Sequence, residues 1–275
     1  MTAHPRELLL ANDLDGALNS LQDMIRKNAS DSKLRIFLFQ LLCVKGEWKR
    51  AITQLKLCAE MDALAIPMAQ TYREAIICEV FRDKVFAGEK APLIFGEPPE
   101  WIALLMEALK ALAGGEPEKA AELRAKAFDM AETRGGEING TRFEWVADAD
   151  MRLGPVLEVI INGRYFWMPF TSIAKLDVEE PSDLRDCVWA AAHITLHNGG
   201  DTVALIPTRY PGTVERGDDP ARLSKATHWE DAGADTFIGL GQRLLATEAG
   251  DTALMDLRTL TIDAPADAEE AAVGG

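Results

Sequence analysis

The chain has 275 residues, of which 48% are hydrophobic and 27% charged, and it carries a formal net charge of −15. That is material for one large domain or two ordinary ones, and it is too apolar for a chain disordered anywhere but its ends. So acidic a surface repels phosphate backbones, which argues against nucleic-acid binding, and no stretch approaches the roughly 20 consecutive apolar residues of a membrane span.

The acidity is uneven. Lys and Arg number 18 against 20 Asp and Glu in residues 1–135, a net of −2, and 11 against 24 in residues 136–275, a net of −13. Such a half steers basic protein partners or simply keeps the chain soluble. The N-terminus "MTAHPRELLLANDLDGAL" lacks a basic start and a small-residue cleavage site, so the chain is expected in the cytoplasm. Cys43, Cys58 and Cys78 fall within helical apolar patterns and Cys187 stands alone, which reads as free thiols in a reducing compartment rather than a metal or disulfide framework.

Residues 1–135 predict a helical array, with apolar residues at three- and four-residue spacing. "ANDLDGALNSLQDMI" (11–25) aligns with "KGEWKRAITQLKLCA" (45–59), pairing Leu14 with Trp48, Ala17 with Ala51, Leu18 with Ile52 and Leu21 with Leu55. The offset of 34 residues is the tetratricopeptide period, in which a small Ala near a helix start lets its neighbour pack closely. "GGEPEKAAELRAKAF" (114–128) repeats the turn and puts Ala120 another 69 residues on. The strict consensus is absent, so the units are tetratricopeptide-like, and "FAGEKAPLIFGEPPEW" (86–101) is too rich in Gly and Pro to continue a helix.

After "ETRGGEINGT" (132–141) the period changes to alternation, which predicts a mainly β domain over 142–262 and an α+β chain overall. Strands are predicted near 156–161, 164–168, 188–196, 202–206, 242–247 and 252–257. Asn162-Gly163 is a two-residue hairpin turn because both positions tolerate positive φ. In the following strand Tyr165 and Trp167 share one face, with Phe166 and Met168 on the other, so both faces need cover; Trp167 and Trp189 are expected to be buried. The tail 263–275, acidic and rich in small residues, reads as disordered.

Chemical motifs are sparse. His193 and His197 have zinc-helix spacing but sit in a strand pattern, where residues four apart are roughly 13 Å apart and cannot share a metal. "GLGQR" (239–243) lacks both phosphate-loop patterns and reads as a bulge or tight bend, so no metal or cofactor is expected. Asp148 and Asp150 flank Arg152 in "DADMRLGP", which suits acid–base work, or else Arg152 holds both carboxylates while Gly154 and Pro155 turn the chain. Arg185 and Asp186 in "LRDCVW" invite the same comparison as an ion pair at a strand start.

The strings "DADMRLGPVLEVIINGRYFWMPF", "PSDLRDCVWAAAHITL", "IPTRYPG" and "ARLSKATHWED", with the helical "LLANDLDGALNSLQDMIRKNASDSKLRIFLFQLLCVKGEWKRAITQL", resemble the ImpE family of bacterial type VI secretion accessory proteins. The resemblance runs from about Leu8 to Ile262; "SKATHWED" departs from the family pattern at Ala226 and His228, and no binding role is assigned to it. It implies a non-enzymatic adaptor, since family members are associated with the sheath subunit TssB, whose N-terminal helix they bind, and through it with the ATPase ClpV. Helical arrays take up helices in apolar grooves, and Leu41, Trp48 and Tyr72 are the candidate partner-binding residues, with packing between helices as the competing reading of Trp48. The alternative function is a small-molecule enzyme with a site between the domains near Asp148, Asp150, Arg152 and Arg185.

Overall fold

The computed structural model describes residues 3–265. The helices are α1 (Pro5–Leu10), α2 (Leu14–Lys27), α3 (Ser32–Val44), α4 (Trp48–Met61), α5 (Ile66–Phe86), α6 (Glu100–Ala113) and α7 (Pro117–Met130), with β1 (Leu93–Ile94) between α5 and α6. The 34-residue alignment is visible in the backbone. Asn12, Gly46 and Gly115 take left-handed φ of 58°, 69° and 78°, each two residues before the start of α2, α4 or α7. Ala17, Ala51 and Ala120 each sit three residues into those helices with no exposure, the small side chain admitting the partner helix. The start of α2 is capped by Asp13, which accepts a 2.7 Å bond from Gly16 N, and Asp31 caps α3 in the same way.

The Gly- and Pro-rich segment 86–101 does interrupt the array, and it does more than that. Its two-residue strand β1 pairs in parallel with β6, so the helical half contributes an edge to the sheet.

The β half begins a few residues earlier than the composition suggests. It comprises β2 (Gly136–Ile138), β3 (Thr141–Phe143), β4 (Ala147–Asp148), β5 (Val156–Ile161), β6 (Arg164–Pro169), β7 (Ile173–Val178), β8 (Trp189–Leu196) and β9 (Asp201–Pro207). Two short helices, α8 (Thr213–Arg216) and α9 (Asp219–Arg222), precede β10 (Thr227–Asp231), β11 (Phe237–Gly241), β12 (Leu244–Thr247), β13 (Gly250–Ala253) and β14 (Thr259–Ile262). The main sheet runs β1-β6-β5-β9-β8-β7-β14-β2-β3; β10 and β11 form a separate ribbon, and β13, β12 and β4 a small third sheet. All six predicted strands exist, but the last ends at Ala253, where 252–257 had been expected. Gly241, in the segment read as a bulge or bend, has φ +90° and closes β11.

Asn162 and Gly163 turn the β5–β6 hairpin with φ of 50° and 69°, and Ile161 pairs with Arg164 across it. Both faces of this hairpin are covered. Val156, Ile160, Tyr165 and Trp167 join a core shared with α2–α6, while Leu157, Val159, Ile161 and Met168 join a second core within the β half. Trp167 and Trp189 are fully buried. Gly154 is the residue that lets α7 approach, since a Cβ there would lie 2.4 Å from Phe128 Cζ.

Asp263, the first residue of the expected tail, is ion-paired to Arg142 and donates its N–H to Gly135 O at 2.9 Å. Residues 266–275 lie outside the described residues.

Candidate functional site

Strict alternation along β5 points Val156, Glu158 and Ile160 at the helices, so one carboxylate stands in the middle of an apolar face. Opposite it, Glu79 and Arg82 lie one turn apart on α5. Arg82 grips Glu158 with Nε and Nη2 at 2.6 and 2.7 Å, donates from Nη2 to Arg209 O at 2.9 Å, and lies 3.4 Å from Glu79. Glu79 also accepts the Trp189 indole N–H at 3.0 Å. The Tyr165 hydroxyl donates to Glu158 and accepts the Trp167 indole N–H at 2.8 Å.

From Glu158 the network continues through Arg243, whose Nη1 lies 3.3 Å away and whose Nε and Nη2 hold Asp148 at 2.9 and 2.6 Å. Asp148 accepts from Asp150 N at 2.8 Å. Asp150 in turn accepts from Arg152 Nε and Nη2 at 2.9 and 2.6 Å and from Gly239 N at 2.8 Å. Arg209 extends the other way, donating to the carbonyls of Val44 and Arg222 at 2.7 and 2.8 Å. Glu79, Asp148, Asp150 and Glu158 balance Arg82, Arg152, Arg209 and Arg243, and all eight are buried. Buried charge persists only when paired and hydrogen-bonded, and here the pairing ties helices to sheet.

Burial is the largest single influence on Glu158 and pushes it upward, but the charge and hydrogen bonds of Arg82, joined by the Arg243 charge and the Tyr165 hydroxyl, together outweigh it and hold the carboxyl down to about 2. Burial dominates at Asp148, raising it to about 6 against the pull of Arg243. The Tyr165 hydroxyl, buried and facing Glu158, is held far above its usual range and stays a donor.

The structure brings Asp148, Asp150 and Arg152 together but corrects the pairing. Arg152 holds Asp150 alone, because Arg243 has taken Asp148. It does not bring Arg185 to them. Arg185 pairs with Asp183 at 3.0 Å, not with Asp186, and stacks over the Tyr72 ring at 4.7 Å; Asp186 instead accepts from Ser182 N and Asp183 N. The carboxylates read as acid–base candidates are thus committed to buried ion pairs.

The candidate partner-binding residues are also corrected. Leu41 has no exposure, Tyr72 is buried with its ring 5.7 Å from Trp189, and Trp48, partly buried, lies 6.1 Å from Trp189. The array face that they line is filled by the chain's own β half. Sequence reasoning missed Glu79, Arg82, Glu158 and Arg243. A usable signal was a lone Glu inside the apolar run "PVLEVII", whose neighbours on both faces had to be buried.

Two of the openings on the surface of the described residues lie beside helices of the array. One, of about 340 Å³, is lined by Trp101, Phe128, Trp145, Pro155 and Phe170 where α6 and α7 meet the β half. The other, of about 820 Å³, lies between α1, α3 and the turn Leu184–Cys187. No helix among the described residues is long and apolar enough to cross a membrane.

A tetratricopeptide-like array fused through a buried ion network to a β domain defines the class of protein. The profile described as "ImpE protein" matches residues 140–261, which lie in the β half. The chain is 55% identical over 262 residues, 95% of its length and 92% of the relative's, to the type VI secretion system accessory component TagJ of Pseudomonas aeruginosa. It also superposes on the crystal structure of protein VPA1032 from Vibrio parahaemolyticus with a TM-score of 0.86 at 25% identity, covering 96% of this chain and 99% of that one. The chain belongs to the ImpE family.

Proposed function

We propose that this protein is a non-enzymatic accessory adaptor of a bacterial type VI secretion system, acting in the cytoplasm, that binds the N-terminal helix of the sheath subunit TssB and is linked through it to the ATPase ClpV. The observation that carries the reading is the 55% identity, over nearly the full length of both chains, to a type VI secretion accessory component. The fold supports it physically, because the array keeps an opening beside the face that the β half fills, lined by α1, α3 and the turn Leu184–Cys187, and helical arrays take up amphipathic helices in such grooves. The ion network supports the non-enzymatic part: its titratable groups are spent on each other, with Asp148 and Asp150 both held by arginines.

Co-purification with full-length TssB, and with TssB lacking its N-terminal helix, tests the reading. The intact subunit is expected to be retained and the truncated one lost; equal retention of both would remove the helix from the account. Adding ClpV to the retained complex checks the second link, with a ternary complex expected.

A further inference from the structure

The segment "THWED" that forms β10 takes no part in the ion network, and its outer edge is open. The ladder between β10 and β11 is regular, with Thr227 opposite Gly241 and Asp231 opposite Phe237. Ala226 O accepts from Gln242 N at 2.9 Å and Ala232 N donates to Thr236 O at 2.8 Å, so the even-numbered residues of β10 spend their backbone groups on β11. The N–H and C=O of Thr227, Trp229 and Asp231 therefore point the other way. β11 has no such free side, because its odd-numbered residues are bonded to the β domain. Gly239 N donates to Asp150 Oδ2 and Gly241 N to Thr213 Oγ1, each at 2.8 Å, and Gly241 O accepts from Tyr210 N at 2.9 Å. The open edge of β10 thus faces away from the body of the molecule.

Other edges are kept short. β1, β3, β4 and β13, which end the other two sheets, have two, three, two and four residues, and Pro92 stands just before β1. β10 has five, with no Pro, Lys or bulge among them, and Trp229 is 41% exposed although its ring lies 5.7 Å from that of Tyr210. An edge this open is a template for another strand. Its own sequence says which strand. Reversed against itself about Trp229, the segment sets Thr227 opposite Asp231, His228 opposite Glu230 and Trp229 opposite Trp229, so every position meets a complementary one.

We propose that two copies of this chain pair antiparallel through β10, about a twofold axis at Trp229, to form a closed homodimer. The free backbone groups fit that register. Trp229 exchanges both its bonds with the partner's Trp229, and Thr227 and Asp231 exchange theirs with the partner's Asp231 and Thr227. His228 and Glu230 fall between these, where facing side chains come closest. Each has an atom to spare: Glu230 binds Arg216 through Oε2, and His228 Nε2 lies 3.3 Å from Asp218, which leaves Glu230 Oε1 and His228 Nδ1 for each other across the axis. An imidazolium donates from both nitrogens, which suits a ring between two carboxylates. The contact is isologous and closes at two chains, since it uses up the edge on both. The proposal does not depend on the adaptor reading.

Sedimentation equilibrium of the full chain reads the state, and hydrogen exchange reads the place. A concentration-dependent equilibrium between monomer and dimer is expected, with the amides of Thr227, Trp229 and Asp231 protected only as the dimer forms. His228→Glu sets Glu against Glu at both ends of the pairing and should raise the dimer dissociation constant about tenfold. Glu230→Lys sets Lys against His and should weaken the dimer as well. Mixed in equal amounts, the two variants bring the introduced Glu opposite the introduced Lys at one end and keep the native pair at the other, so the mixture should associate more tightly than either variant alone. The surroundings of each side chain within its own chain are the same in the mixture as in the separate variants, and thermal melting verifies that both fold. A wild type that stays monomeric to about 1 mM overturns the proposal, as does a mixture that associates no better than its components. Protection of the edge that appears only when TssB is added to a monomeric chain would make a strand of TssB the occupant and overturn it too.

Discussion

Arg82 on α5 and Glu158 on β5 stand 76 positions apart in sequence and meet in two parallel bonds of 2.6 and 2.7 Å, in the interior between helices and sheet. A bidentate pair of this kind fixes direction as well as distance, so it sets how the array sits on the β domain. Either partner alone would be a buried charge left with only its longer contact, Glu158 to Arg243 at 3.3 Å or Arg82 to Glu79 at 3.4 Å.

Removing one partner should therefore cost far more than removing both. Glu158→Gln and Arg82→Met are each expected to lose about 3–5 kcal/mol of unfolding free energy, and Arg82→Met/Glu158→Leu much less than the sum. Urea unfolding of the four proteins gives the coupling. Additive losses would mean that the two residues do not act as a pair.

Acid should expose the same pair. Glu158 is held to about 2 in the folded chain, below its ordinary 4.5, so the unfolded chain takes up this proton first as pH falls. Its contribution is complete above about pH 4.5 and is lost as pH falls through about 2. Asp148 has the opposite sign: raised to about 6 from 3.8, it takes up its proton first in the folded chain, so acidification across that window stabilises. Urea midpoints measured across this range should lose their low-pH fall in Glu158→Gln and their rise below about pH 6 in Asp148→Asn. Parallel curves for wild type and both variants would contradict the assignment.

The hairpin turn offers a local test. Asn162 sits at φ 50°, which Gly adopts freely and a β-branched residue does not. Asn162→Val is expected to destabilise by about 1–3 kcal/mol, whereas Asn162→Gly should stay within about 0.5 kcal/mol of wild type. Thermal melting of the two variants checks this, and similar melting of both would remove the turn from the account.

What was legible in the sequence follows the range of the interaction. The Asn162-Gly163 turn and the repeated positions of Ala17, Ala51 and Ala120 depend on neighbours within a few residues, and periodicity shows them. The Arg82–Glu158 pair and the Arg243–Asp148 pair depend on which segments meet, which no local pattern encodes. The same limit explains Trp48 and Tyr72: their spacing shows that they face something apolar, not that the apolar surface is Trp189 of the same chain. The short strands β2, β10 and β14 escaped because three to five residues carry too little alternation to stand out, and β7 because Lys175 and Asp177 break the apolar count on its exposed positions.

Trp167 tests the double-faced hairpin from its helix side. It has no exposure and its indole N–H reaches Tyr165, so Trp167→Ala should cost about 3–5 kcal/mol. A melting curve unchanged from wild type would place the side chain outside the core.

The central claim, that this chain is an adaptor for a sheath-subunit helix, is tested most directly by titrating the isolated N-terminal helix of TssB into the intact protein by calorimetry. Saturable binding at one helix per chain is the predicted result, with affinity that weakens only in part at 1 M salt, where screening shortens to roughly 3 Å and apolar contacts are not screened. No binding at about 1 mM peptide, a free energy weaker than about −4 kcal/mol, would contradict it.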